Sequence, residues 1–179
     1  DLLADYSARL DAQALYGAGA NGESKGILTG ATQIQTWSGT TVQSFLSKVI
    51  GAADMIATNR FAPATAVVMH PRRWHWLLAQ SDTNGRPIVE PYAGQASSPS
   101  GLGGTGYGVG VGTLAGLPVV VDANVPTNLG GSTNEDRVIV TRLDDLSIWE
   151  NGVHSFRFDQ AAGGPESIRL AVVGYHAFD

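Results

Sequence analysis

The chain has 179 residues, with 43% hydrophobic side chains, no cysteine, and 16 acidic against 11 basic residues for a net charge of −5. That is enough apolar content for one compact core or two small ones, and it excludes disulfides, thiolate metal sites and cysteine nucleophiles. The acidic balance, with Lys25 and Lys48 the only lysines, leaves no basic footprint for nucleic acid.

No apolar run reaches the roughly 20 residues that cross a bilayer, and no signal peptide opens the chain. Asp1 begins the sequence without a Met and inside a helix-like pattern, which reads as a processed or truncated protein.

In chain order, Leu2, Leu3, Tyr6, Leu10 and Leu15 recur at helical spacing and predict a helix over 2–16. GAGANGESKGIL (17–28) is too rich in Gly and Asn for regular structure and predicts a long connector running through Trp37. A second helix follows, with Val42, Phe45, Leu46, Val49, Ile50, Ala53 and Ile56 on one stripe that other parts of the fold must cover. Ser38, Thr40 and Thr41 are its possible caps.

ATAVVMH (64–70) is a short apolar run of buried-strand type. Pro71 then opens a helix over PRRWHWLLAQS, where its missing amide hydrogen is of no consequence. Asn84-Gly85 marks a turn, and 92–112 is a Gly-rich, almost uncharged loop.

TLAGLPVVVDANVP (113–126) predicts a turn into a buried strand, and RVIVTRL (137–143) predicts another. LSIWENGVHSFRFD (146–159) alternates on both sides of Asn151-Gly152, consistent with a hairpin or with one long bent strand. SIRLAVVGYHAF (167–178) is the last strand, so the sum is three helices followed mostly by strands, an α+β pattern.

Four of these signatures, in order, resemble the tailed-phage major capsid family. They are the helix running into ALYGAGANGESKGIL, the strand, Pro-initiated helix and turn of VVMHPRRWHWLLAQSDTNGRPIV, the segment LAGLPVVVDANVP, and VIVTRLDDLSIWENGVHSFRFD. The resemblance implies the C-terminal part of an HK97-like capsid fold. Residues 1–37 would be the end of the spine helix and its connector in the peripheral domain, 38–145 the axial domain, and 146–179 strands returning to the periphery.

It further implies a structural subunit, not an enzyme, of a phage or prophage shell. Such a subunit self-assembles into pentamers and hexamers enclosing double-stranded DNA in the virion, after assembly in the bacterial host cytoplasm. Partners would be copies of itself, with scaffold, protease and portal proteins, DNA held without specific binding, and no membrane. An encapsulin-like protein compartment is the alternative within the same fold. The crosslinking chemistry of some family members does not carry over, because the extended loop lies upstream and IRLAVVGYHAF offers neither Asn nor Glu.

Enzyme motifs fail their context tests. Gly17, Gly19 and Gly22, and again Gly101, Gly103 and Gly106, satisfy GxGxxG, but neither set stands between a strand and a helix. His70 and His75 are five apart, not the four of a zinc helix, and read with His154 and His176 as capping or surface residues, so no metal or cofactor is expected. Asp144 and Asp145 are adjacent and would point to opposite faces, as in a solvated turn.

The candidate interface residues are Trp74 and Trp76, which point to different sides of their helix so that one can pack inward while the other meets a neighbour. To these we add Gly101, Tyr107, Val109 and Val111 of the 92–112 loop, a candidate axial tip near the capsomer centre.

Overall fold

A computed structural model describes residues 2–31, 33–81, 84–85, 88, 112–158 and 169–178. The chain divides into two compact units, one of residues 1–30 with 145–179 and one of residues 31–144.

The 31–144 unit is built on a four-stranded sheet. Its elements are helix α3 (Val42–Arg60), β1 (Ala66–Met69), α4 (Pro71–Leu78), β2 (Gly112–Leu114), β3 (Leu117–Val121) and β4 (Val138–Thr141). The strand order is β2-β3-β1-β4, with β1 parallel to β3 and antiparallel to β4. β1 is thus paired on both sides, and Ala66, Val67 and Met69 have no exposed surface. That is why four residues of almost pure Val/Met/Ala suffice for a strand: both faces lie in the interior, where alternation is unnecessary.

Val67, Met69, Leu114 and Val119 share a core with Val42, Phe45 and Val49 of α3 and Trp74 and Leu77 of α4. Each helix begins where its sequence signals it. Thr41 caps α3, its hydroxyl accepting from the Ser44 amide, and Pro71 sits in the first turn of α4 behind His70, whose Nδ1 accepts from the Arg72 amide at 3.0 Å. Of the predicted α3 stripe, Val42, Phe45 and Val49 are buried, whereas Ile50 stays 55% exposed. The turn between β2 and β3 is the two-residue Ala115-Gly116 step, both at positive φ as tight hairpins need.

The other unit joins helix α1 (Leu2–Tyr16), the short α2 (Ile27–Gly30), and two long strands, β5 (Ile148–Phe158) and β6 (Arg169–Phe178), paired antiparallel as a ribbon. The predicted connector after α1 closes on itself instead. Ala18 bridges Lys25, the Gly26 amide donates to the Gly17 carbonyl at 3.0 Å, and a Cβ on Gly26 would collide with the backbone of Leu15 to Gly17. The first GxGxxG set is therefore part of a folded turn after a helix, with no strand leading into it.

Asn151-Gly152 is not a hairpin turn. β5 runs through it as one strand, with Glu150 opposite His176 and Val153 opposite Gly174, so the two residues form a bulge.

Leu77 has no exposed surface and lies in the α4 layer of the sheet core. Leu77→Ala is expected to lower the unfolding free energy by about 2–5 kcal/mol, measured by urea denaturation followed through tryptophan fluorescence.

Candidate functional site

Two features of the molecule could serve a function, one in each unit. In the sheet unit, α4 presents Arg73 and Trp76 toward Trp37 and Phe45. The Trp37 and Trp76 ring centroids are 5.7 Å apart, Phe45 meets Trp37 edge-on at 5.3 Å, and the Arg73 guanidinium lies 5.2 Å from the centroid of each indole. Trp37 Nε1 donates to Ser44 Oγ at 2.9 Å, which pins the indole to the first turn of α3.

The same guanidinium forms a two-pronged pair with Asp136, donating at 2.5 and 3.2 Å, and Arg72 approaches that carboxylate at 3.3 Å. The Asp136 side chain is 4% exposed and that of Arg73 19%. A carboxylate so desolvated must be neutralised, and here two arginines on consecutive residues do so, the Arg73 guanidinium lying over the two indoles at the same time. The arrangement ties the segment before β4 to α4.

Trp74 and Trp76 accordingly separate. Trp74 is 3% exposed within the sheet core, and Trp76 is half-buried in the aromatic cluster. Gly101, Tyr107, Val109 and Val111, with the rest of the 92–112 loop before Gly112, lie outside the described residues. So does the second GxGxxG set, Gly101, Gly103 and Gly106. Asp144 and Asp145 form an exposed turn, where Asp144 accepts from Arg142 at 3.3 Å. Among the described residues no group of three His, Asp or Glu side chains could hold a metal ion.

Sequence reasoning missed Trp37, Arg73 and Asp136. Trp37 lay in what reads as a connector, and an ion pair between residues 63 apart leaves no local pattern.

The second feature is the β5–β6 ribbon. The side facing α1 is marked by Tyr6, whose hydroxyl donates to Glu150 Oε1 at 3.0 Å and lies so close over Gly174 that a Cβ there would push the ring aside. Leu2 and Leu3 of α1 line an open apolar recess on the same side with Val153, Ser155 and Val172. By strand alternation the opposite side carries Trp149, His154, Phe156 and Phe158 from β5, and Val173, Tyr175 and Ala177 from β6.

On that opposite side Trp149 is 58% exposed, Phe156 50%, Phe158 49% and Tyr175 70%. Leu15 is the only buried hydrophobic residue of this unit among those described. Desolvation first, and then the adjoining Glu150 carboxylate, raise the Tyr6 pKa above its ordinary 10.0.

Among the described residues, one unit holds a buried core and the other leaves an apolar ribbon face exposed. The phage capsid family model matches residues 1–157, and the chain belongs to that family. Its members are structural subunits that assemble with copies of themselves into the virion shell. No curated protein matches the chain. No helix among the described residues is long and apolar enough to cross a membrane.

Two predictions follow from these contacts. Asp136→Ala leaves Arg73 half-buried without its counter-charge and is expected to cost about 3 kcal/mol, part of which Arg73→Met in the same chain restores; a double-mutant cycle by chemical denaturation measures the coupling. For Tyr6, a raised pKa means that the folded state holds the phenolic proton more tightly. The contact therefore contributes fully below the ordinary 10.0 and is lost as pH rises through the raised value. Thermal melts taken into the alkaline range should show this loss in the wild type and not in Tyr6→Phe.

Proposed function

We propose that this chain is a subunit of an HK97-like major capsid protein, and that it builds the icosahedral shell of a tailed phage or prophage through pentamers and hexamers enclosing double-stranded DNA. Residues 38–145 serve as the axial domain. Residues 1–37 with 146–179 belong to the peripheral domain, with α1 as the end of the spine helix and β5 and β6 as the returning strands. The family membership supports the shell role, and the division of the chain into two units supports the domain assignment.

The observation that carries the reading is the ribbon. Among the described residues, α1 lies against one side of two strands of 11 and 10 residues and covers it only in part, leaving Ile148, Val153 and Leu170 exposed, and the other side is lined by Trp149, Phe156, Phe158, Val173 and Tyr175, all open to water. A lone two-stranded ribbon is marginal in water, and a contiguous apolar face of this kind marks an interaction surface. In a shell each subunit supplies its neighbours with the cover that its own chain lacks, and many modest contacts around closed symmetry sum to a stable container. Scaffold, protease and portal proteins act on such a shell during its assembly in the host cytoplasm. DNA is retained by enclosure, in keeping with the net charge of −5.

The test is assembly of the complete protein, followed by light scattering and electron microscopy. Wild type is expected to form capsomers and closed particles, whereas Trp149→Ser with Phe156→Ser is expected to raise the concentration needed for assembly by about tenfold or more while the tryptophan fluorescence of the sheet unit is unchanged. A wild-type protein that stays monomeric at all concentrations contradicts the proposal.

A further inference from the structure

The most exposed large apolar side chain of the described residues is Phe61, at 95%, in the junction between α3 and β1. It is also the C-cap of α3, with φ 53° and ψ 28°, in the left-handed region. That position at a helix end ordinarily belongs to glycine, or to asparagine, because a Cβ there crowds the backbone. The other non-glycine residues at positive φ are Asn21, Thr133 and Ala115, which are small or polar. Among the described residues Phe61 is the one aromatic residue in this region, and for a bulky side chain the conformation is an outlier.

Two unfavourable choices meet in this one residue. Its backbone conformation favours a residue without a side chain, and its ring is left in water, so neither local geometry nor the core of the chain accounts for a phenylalanine. Among the described residues nothing covers the ring.

We infer that Phe61 is an anchor inserted into a second copy of this protein during shell assembly. This rests on the capsid-subunit reading above and names one residue of its contacts. A second copy is the occupant because the family assembles with copies of itself, and an exposed aromatic ring is the kind of group that such contacts bury. On its C-terminal side Phe61 is flanked by the uncharged Ala62 and the exposed Pro63, and on its N-terminal side by the exposed Arg60 and Asn59, so the ring stands at the edge of a polar helix end. A single aromatic ring projecting from a rigid helix end has little entropy to lose on insertion, which is how interface anchors contribute most.

The experiment compares wild type, Phe61→Gly and Phe61→Tyr in the complete protein, reading thermal stability of the unassembled subunit and assembly against concentration. Phe61→Gly is expected to melt roughly 2–4 °C higher, because glycine suits the cap, and yet to need about tenfold more subunit for half-maximal assembly. Phe61→Tyr, which keeps the ring, assembles like wild type. Benzoylphenylalanine placed at position 61 crosslinks one copy to another on irradiation of the particles.

Phe61→Gly assembling at the wild-type concentration overturns the inference, as does a lower melting temperature for that variant, which would place the ring inside the fold. Wild type that fails to assemble overturns the capsid-subunit reading itself and the inference with it, so the two failures are told apart by the wild-type arm.

Discussion

The sheet unit depends on β1 being hydrogen-bonded on both sides. Val67 lies between Val119 and Val140, and Met69 between Val121 and Val138, so a strand of four residues fixes the register of both its neighbours. A slip by one residue would turn Val67 and Met69 away from α3 and α4 and bring Val68 into their place, leaving the helices without their sheet partners. The chain then leaves β1 directly into α4. His70 ends the strand and caps the helix in the same residue, which sets Trp74 and Leu77 onto the face that Val67 and Met69 have just formed. From α4 the order extends outward through Arg73 to Trp37, Trp76 and Asp136, the last of these two residues before β4. Sheet, helix and ion pair are one connected arrangement.

The 1–30 and 145–179 unit follows the opposite rule. Its strands are at least twice as long as those of the sheet, yet nearly all of their large side chains face water. Val and Phe contribute about 1.5–3 kcal/mol each when fully buried, so a ribbon that leaves Trp149, Phe156, Phe158 and Tyr175 uncovered has withheld much of its apolar surface from its own fold. In an enzyme the informative departure from good packing is a pocket with convergent polar groups. Here it is an apolar face and a strained aromatic cap, the two features that we propose act in association. The family to which the chain belongs is one in which association is the function.

Much of the sheet unit was legible in the sequence because its signals are local. ATAVVMH, LPVVV and RVIV are apolar runs bounded by Pro, Gly or Asp, and Thr41 and Pro71 mark helix starts by their own side-chain chemistry. Asn151-Gly152 shows where locality fails. The pair is the usual hairpin signal, but β6 is long enough to pair with residues on both sides of it, so the ladder continues and the extra residues become a bulge. Trp37 and Asp136 were invisible for a related reason: each finds its role only when Arg73 arrives from a distant part of the chain. Phe61 was equally silent, since nothing in NRFAPA announces a left-handed backbone. The glycines of 17–28 carry a different lesson, because a segment too glycine-rich for a helix or strand is still able to close into a defined turn where two backbones must touch.

The claim on which the account stands is that the ribbon face away from α1 is a contact surface of the assembled protein. Hydroxyl-radical footprinting of the complete protein, read by mass spectrometry in the free subunit and in assembled particles, tests it most directly. The account predicts that Trp149, Phe156 and Tyr175 react readily in the free subunit and are strongly protected in particles, while Trp74, already buried, changes little. Equal reactivity of the three ribbon residues in both states would contradict it.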